Sequence, residues 1–411
     1  MNRLRTRPLI LPATATPDAA RLVTTRALRG LADGAVSVVL ASYLGRLGFS
    51  PLEVGALVTA TLLGSAVLTL ALGLLAHRME RRRILLGACG LMVATGLAFA
   101  SITAFWPLLV VAFVGTINPS SGDVTLFLPT EQAVLAETSE ARDRVALFAW
   151  YNVAGTLAGA LGALAAGLPD IASRKFGLPI AEAERAVFYA YSAVGLVSAA
   201  VYAGLSRTVE QDATAPGRPL SRSRRVVLEL SALFSLDSFG GGFVVQSLLA
   251  LYLFRRFALS LETAAAFFFA AGTLAAFSQI MSARLAARIG HIRTMVFTHL
   301  PSNLFLILAG LMPTAPLAIL FLLLRMALSQ MDVPARQAFV MAVVPREERA
   351  AASSVTNVPR SLAAALSPFV AGYLLDQTSF GWPLIVGGIL KAIYDLALFA
   401  RFSQVRPQEG A

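Results

Sequence analysis

Asp33, Asp237, Arg325 and Arg360 lie inside long apolar runs of a 411-residue chain. A charge in such surroundings is costly unless it is paired, meets a ligand or takes part in proton movement. Counted at about 1.5 Å per helical residue from the ends of their runs, Asp237, Arg325 and Arg360 fall near the middle. Asp33 and Asn357 fall nearer one end. Burial favours the neutral form of an unpartnered acid, which suits Asp33 and Asp237 to proton exchange. An arginine offers a planar fork to a carboxylate or phosphate. Two readings stay open: Asp237 is neutralised by Arg325 or Arg360 and holds helices in register, or these groups handle substrate and protons. Three midplane charges exceed what one structural pair requires, which favours the second.

A polar element occurs twice. Pro129 to Ala133 and Pro334 to Ala338 share the frame P-x-x-Q-A at an offset of 205 residues. The same offset carries Arg144 onto Arg349 and Asn152 onto Asn357, and an offset of 209 carries Tyr43 onto Tyr252. Half the chain is thus a diverged copy of the other half, as in transporters whose site lies between parallel repeats. Each P-x-x-Q-A element ends an apolar run. Glu131 is placed to meet Arg78, and Arg336 to meet Glu347 or Glu348, pairs that would latch one face shut during a conformational cycle. Lys391 and Asp395 are spaced i,i+4 and are expected to neutralise each other on one helix face.

The elements that must position these groups are set by composition. The chain is 57% hydrophobic and 14% charged, with a mean hydropathy of +0.71, too little polar surface for a water-soluble protein of this length. Apolar windows long enough to cross a ~30 Å hydrocarbon core recur near 27–46, 52–76, 84–104, 107–128, 145–168, 187–206, 227–254, 262–282, 294–312, 315–335, 350–375 and 382–402. They are continuous runs and not alternating strands, which excludes a β-barrel. The expected fold is an all-α integral membrane protein of twelve transmembrane helices in two pseudo-symmetric six-helix bundles. Its expected parts are a tail over 1–26, a first bundle over 27–206, a Pro-, Ser- and Arg-rich linker over 207–226, a second bundle over 227–403 and a tail over 404–411. A short amphipathic helix over Ile180 to Val187 is expected in the connection 169–186.

Arginines cluster before the first window and after every even-numbered one, so both termini and the linker are expected on the cytoplasmic side. The net charge of +11 is therefore a topology signal, and its spread over separate loops argues against nucleic acid as a partner. The first 20 residues lack an apolar core long enough for a secretory signal. Cys89 is the only cysteine, so no disulfide framework or thiol metal cluster is available. His77, His291 and His299 do not converge on a metal site. No phosphate-cradling loop, nucleophile elbow or zinc spacing occurs, which argues against an enzyme and against nucleotide as the energy source. No cofactor is expected.

Twelve spans in two parallel copies joined by a basic link resemble the major facilitator superfamily over nearly the whole chain. The family signature G-x-x-x-D-R-x-G-R-[RK] between spans two and three is met by Gly73, Arg78, Arg81 and Arg82, with His77 at its aspartate and Glu80 at its second glycine. The second copy keeps Arg288 and Gly290. The arginine of span four in proton antiporters is replaced by Ser120, opposite Arg325, and span five has glycines without the antiporter Gly-Pro. The resemblance implies a cavity lined by spans one, four, seven and ten. It points Asp33, Asn118, Asp123, Asp237, Gln246 and Arg325 inward, with Asn357 and Arg360 of span eleven beside them. It also implies a cytoplasmic gate drawn from Gly73, Arg78, Glu131, Arg144, Arg288, Gly290, Arg336 and Arg349. The implied activity is secondary active transport of a small organic solute by alternating access. Proton-coupled efflux by a monomer in a bacterial inner membrane is the leading form. Uptake of an organic anion, or a channel or sensor that does not transport, are the alternatives.

Overall fold

The computed structural model describes residues 16–75, 79–120, 126–137, 141–206, 220–345 and 348–403. The described residues fold into sixteen α-helices without a strand. The first half holds α1 (Pro17–Arg46), α2 (Pro51–Leu75), α3 (Arg81–Ser101), α4 (Phe105–Val114), α5 (Leu128–Glu137), α6 (Ala141–Ala165), α7 (Leu168–Phe176) and α8 (Ile180–Ala203). The second holds α9 (Arg224–Gly242), α10 (Gln246–Phe257), α11 (Leu261–Ile289), α12 (His291–Leu311), α13 (Ala315–Ser329), α14 (Asp332–Val343), α15 (Arg349–Gln377) and α16 (Trp382–Phe402). Eleven helical stretches are long and apolar enough to cross a membrane, and the ten-residue α4 supplies the apolar part of the remaining crossing.

Three of the twelve expected spans are broken. Span four leaves its helix at Gly115 and is non-helical through Ser120, span seven is interrupted between Gly242 and Gln246, and span ten between Ser329 and Asp332. Two of the breaks coincide with helix-weak residues, Gly115 with Asn118 and Pro119 in span four and the Gly240 to Gly242 triplet in span seven; the break at Gln330 and Met331 has no such residue. Irregular backbone inside a membrane protein is tolerated where protein or a cavity surrounds it. The connection between spans five and six also departs from expectation. The short helix there is α7, an amphipathic segment ended by Gly177 at φ +67°, while Ile180 to Val187 begins the long helix α8.

Packing repeats as the sequence does. Helix α1 lies along α6, and its counterpart α9 lies along α15; α3 packs on α8, and α12 on α16. Small residues permit the approach. A Cβ added to Gly34 would stand 2.0 Å from the Gly159 carbonyl oxygen, and one added to Gly242 would stand 2.4 Å from that of Ala364, the same contact in the second copy. Gly155, Gly159 and Gly162 of span five therefore serve α1 of their own half, while Gly167 faces Glu262 and Ala265 of the opposite half. Across the halves, α2 meets α15 where Gly55 and Gly372 abut, and α6 meets α11 where Ala160 faces Gly272.

The halves are joined by polar contacts at the face away from the chain termini. Arg174 pairs with Glu262, and the Glu262 amide donates to Asp170 at 3.3 Å. Nearer the middle, the Ser247 hydroxyl donates to the Ser37 carbonyl at 2.8 Å and its amide to the Pro119 carbonyl at 3.1 Å. Gly34→Ala should lower the unfolding midpoint of the purified protein, an overpacking cost of about 1–3 kcal/mol. Gly87→Ala, where nothing lies within 4 Å of the new methyl, should leave it unchanged or slightly raised.

Candidate functional site

Each half neutralises its buried charges with a cluster of its own. In the first, Glu131 on α5 is fully buried and takes four donors: the Arg29 guanidinium, the Thr25 hydroxyl at 3.2 Å, and the hydroxyls of Tyr151 and Tyr202 at 2.6 Å each. Arg29 also stacks on Phe127, its guanidinium carbon 3.8 Å from the ring centre. Four helices, α1, α5, α6 and α8, thus converge on one carboxylate.

The second half builds its cluster on Asp237 of α9. Lys391 of α16 reaches one oxygen at 2.5 Å and Arg336 of α14 the other at 3.1 Å; Arg336 is also 3.3 Å from Asp332. Behind them, His299 Nδ1 lies 2.9 Å from Asp395, and Asn303 donates to the same carboxylate at 2.8 Å. Arg336 lies over Phe234, its guanidinium carbon 5.5 Å from the ring centre. Glu131 and Arg336 are equivalent by the 205-residue offset, and Arg29 and Asp237 occupy matching places on α1 and α9. The two halves therefore use the same ion pair with its signs exchanged.

Several expected pairings are replaced. Glu131 does not sit at a face awaiting Arg78; it is enclosed in the first half by Arg29, and Arg78 lies outside the described residues. Arg336 turns into the bundle toward Asp237 and Asp332 rather than to Glu348, and Glu347 lies outside the described residues. Asp237 is neutralised by Lys391 and Arg336, not by Arg325 or Arg360. Lys391 and Asp395 do not close on each other, because Asp237 and His299 offer each a better-aligned partner from a neighbouring helix. His299 is 3% exposed within this network.

The remaining candidates separate into partnered and unpartnered groups. Arg360 donates to the Ser238 hydroxyl at 2.8 Å, and the exposed Asn357 donates to Ser353 at 3.2 Å. Asn118, at the break after α4, accepts from the Ser120 amide and hydroxyl, while its own amide nitrogen is buried without a partner among the described residues. Gln246 opens α10 and is half-buried. Asp33 is 5% exposed and has no hydrogen bond or ion pair among the described residues. Arg325 has no carboxylate within ion-pair distance among them. Asp123 lies outside the described residues. Of the gate residues, Gly73 lies in α2, Arg144 in α6 and Arg349 opens α15; Arg288 is exposed near the end of α11, and Gly290 makes the α11–α12 turn at φ +86°.

Glu348, outside the membrane spans, caps the start of α9. It accepts from the Ser221 hydroxyl at 2.6 Å, the Ser223 hydroxyl at 2.5 Å and the amides of Ser221, Arg222 and Ser223 at 2.9–3.2 Å. These donors, the Ser221 hydroxyl foremost, hold its carboxyl well below the usual carboxylate range.

Sequence reasoning misses Arg29, Lys391 as a partner of Asp237, and the two tyrosines on Glu131. Arg29 has a usable signal. It lies one helical turn before Asp33, and an offset of 208 places it opposite Asp237.

Comparison with known proteins follows the same architecture. Residues 22–331 and 300–411 match the profile of the Major Facilitator Superfamily. The chain is 27% identical over 410 residues to the uncharacterized membrane protein YJR124C of Saccharomyces cerevisiae, covering 91% of this chain and 92% of the yeast protein. Among solved structures it is similar to a D-xylose–proton symporter (TM-score 0.74, 15% identity, 95% and 99% of the two chains). It is likewise similar to the inward-open xylose transporter XylE of E. coli (0.72, 14%, 95% and 97%) and the nucleoside transporter NupG (0.67, 16%, 95% and 100%). At these identities the structural likeness concerns the fold.

Glu131→Gln should cost about 3–5 kcal/mol of stability by leaving the buried Arg29 guanidinium without its counter-charge, read as a fall in the unfolding midpoint in detergent. For Glu348 the sign follows from its lowered titration. A depressed carboxyl stabilises the fold above its unfolded value of about 4.3 and loses that contribution as pH falls below it. The advantage of the wild type over Glu348→Gln should therefore be full at pH 7 and shrink once unfolding is measured below about pH 4.

Proposed function

Because the chain belongs to the Major Facilitator Superfamily, we propose that it is a proton-coupled secondary transporter of a small organic solute, with Asp33 as the acid that takes and releases the proton. The observation that carries this reading is the contrast between two acids. Asp237 is bound by two cations, whereas Asp33, equally buried, has neither ion pair nor hydrogen bond among the described residues. An ionised carboxylate in that condition is costly, and a proton removes the cost. The neighbouring Arg29 makes its ion pair with Glu131, so the positive charge that it and Arg26 place near Asp33 acts without direct contact. Gly34 beside Asp33 seats α1 directly on α6, so a change at Asp33 is passed to the bundle rather than absorbed by a loose helix.

Alternation then consists of the halves parting at one face and meeting at the other. The Arg174–Glu262 pair and the Ser247 hydrogen bonds support a state closed at the face away from the termini. The basic connections argue that this closed face is the outer one. The antiporter-like remnants of the signature favour export as the working direction.

The test is transport in proteoliposomes of a solute identified by thermal-shift screening. Asp33→Asn should reduce pH-gradient-driven accumulation at least tenfold while leaving counterflow exchange within a few fold of the wild type. Full gradient-driven transport by Asp33→Asn overturns the assignment.

A further inference from the structure

Arg325 lies on α13 ten residues from Ala315, about 15 Å into a hydrocarbon core about 30 Å thick. Among the described residues its Nε is buried without a hydrogen-bond partner, and Nη1 reaches only the Met326 sulfur, at 3.2 Å, a weak acceptor. The residue as a whole is only partly buried. The acids whose charge acts on it, Asp237 and Asp332, are beyond ion-pair distance and already engaged. Those two carboxylates balance the cations Arg336 and Lys391 without Arg325, and the remaining acid of the cluster, Asp395, is held by His299 and Asn303. Arg29, Arg336 and Lys391 all rest on carboxylates; Arg325 rests on none among the described residues.

The fold does not require this charge. The repeat places Ser120 at the matching position of the first half, where the broken span is completed with a neutral hydroxyl bound to Asn118. A midplane guanidinium that is neither neutralised nor demanded by the architecture is retained at a cost that a ligand's negative charge offsets. The geometry of a guanidinium further selects an oxyanion that accepts two parallel hydrogen bonds.

We propose that Arg325 binds the negatively charged group of the transported solute, which is an organic anion bearing a carboxylate or a phosphate monoester. The assignment rests on the transporter reading above and names its substrate class. A cationic solute is disfavoured at this site by direct repulsion, and a neutral one leaves the guanidinium uncompensated.

The test reads binding without a gradient, so its failure leaves proton coupling through Asp33 standing. Full-length protein in nanodiscs is unfolded thermally with benzoate, lactate, glycerol 3-phosphate and glucose 6-phosphate, each beside its neutral amide or alcohol. The wild type should be stabilised by several degrees by at least one anion and not by its neutral partner. The carboxylate and phosphate arms distinguish the two chemistries. Arg325→Met should weaken that binding about thirtyfold or more, and Arg325→Lys, which keeps the charge and loses the fork, less. With no ligand, Arg325→Met should melt at or above the wild-type temperature, whereas Arg336→Met should melt below it. The proposal is overturned if Arg325→Met is destabilised as Arg336→Met is, if the anions stabilise wild type and Arg325→Met alike, if neutral partners bind as well as anions, or if no anion in the panel shifts the wild type.

Discussion

Lipid offers no counter-charge, so each ionised group drawn into the helices must find its partner inside the protein or in a bound ligand. This constraint shapes both halves. Glu131 gathers α1, α5, α6 and α8 because a single buried carboxylate has lone pairs enough for an arginine, a threonine and two tyrosines. Asp237 gathers α9, α14 and α16 in the same way. In a medium where apolar packing alone gives little drive for helices to associate, such hubs specify which helices meet and at what height. Glycine contacts then decide how closely they meet.

The interface between halves is built on a different principle. Gly55 against Gly372 and Ala160 against Gly272 make smooth, small-residue contacts. The Arg174–Glu262 pair is substantially exposed, with side chains 66% and 47% accessible. An exposed pair is worth little, about 0–1 kcal/mol, and the Ser247 hydrogen bonds are single neutral contacts of about 1 kcal/mol each. Strong, buried, branched ion-pair networks lie within the halves; weak, exposed or neutral contacts lie between them. Such a division lets the halves move as bodies without dismantling themselves.

Much of the fold was legible from apolar run length and the repeat, since both depend only on local composition. The breaks in spans four, seven and ten were not, because a window average over twenty apolar residues conceals one glycine cluster or one Asn-Pro step. The candidate site divides along the same line. Depth along a run picks out Asp33, Asp237 and Arg325, for depth is a one-dimensional property. Partners are three-dimensional: the i,i+4 rule joins Lys391 to Asp395, yet helix rotation brings Asp237 to Lys391 and His299 to Asp395, and these tertiary contacts prevail. His299, an isolated histidine in the sequence, becomes part of a network only when α12 and α16 pack.

The exchange of signs between the Arg29–Glu131 and Asp237–Arg336 pairs bears on how a duplicated chain assembles. Two copies of one bundle invite their helices to pair with the wrong copy, since shape and apolar pattern are shared. Here a wrong-copy pairing would set Arg29 against Arg336 and Glu131 against Asp237, each a like-charge encounter in a low-dielectric interior. Correct and incorrect bundles, similar in packing, thus differ sharply in electrostatic energy. The inverted pair acts as a label of kinship, by which each half of the nascent chain recognises its own helices.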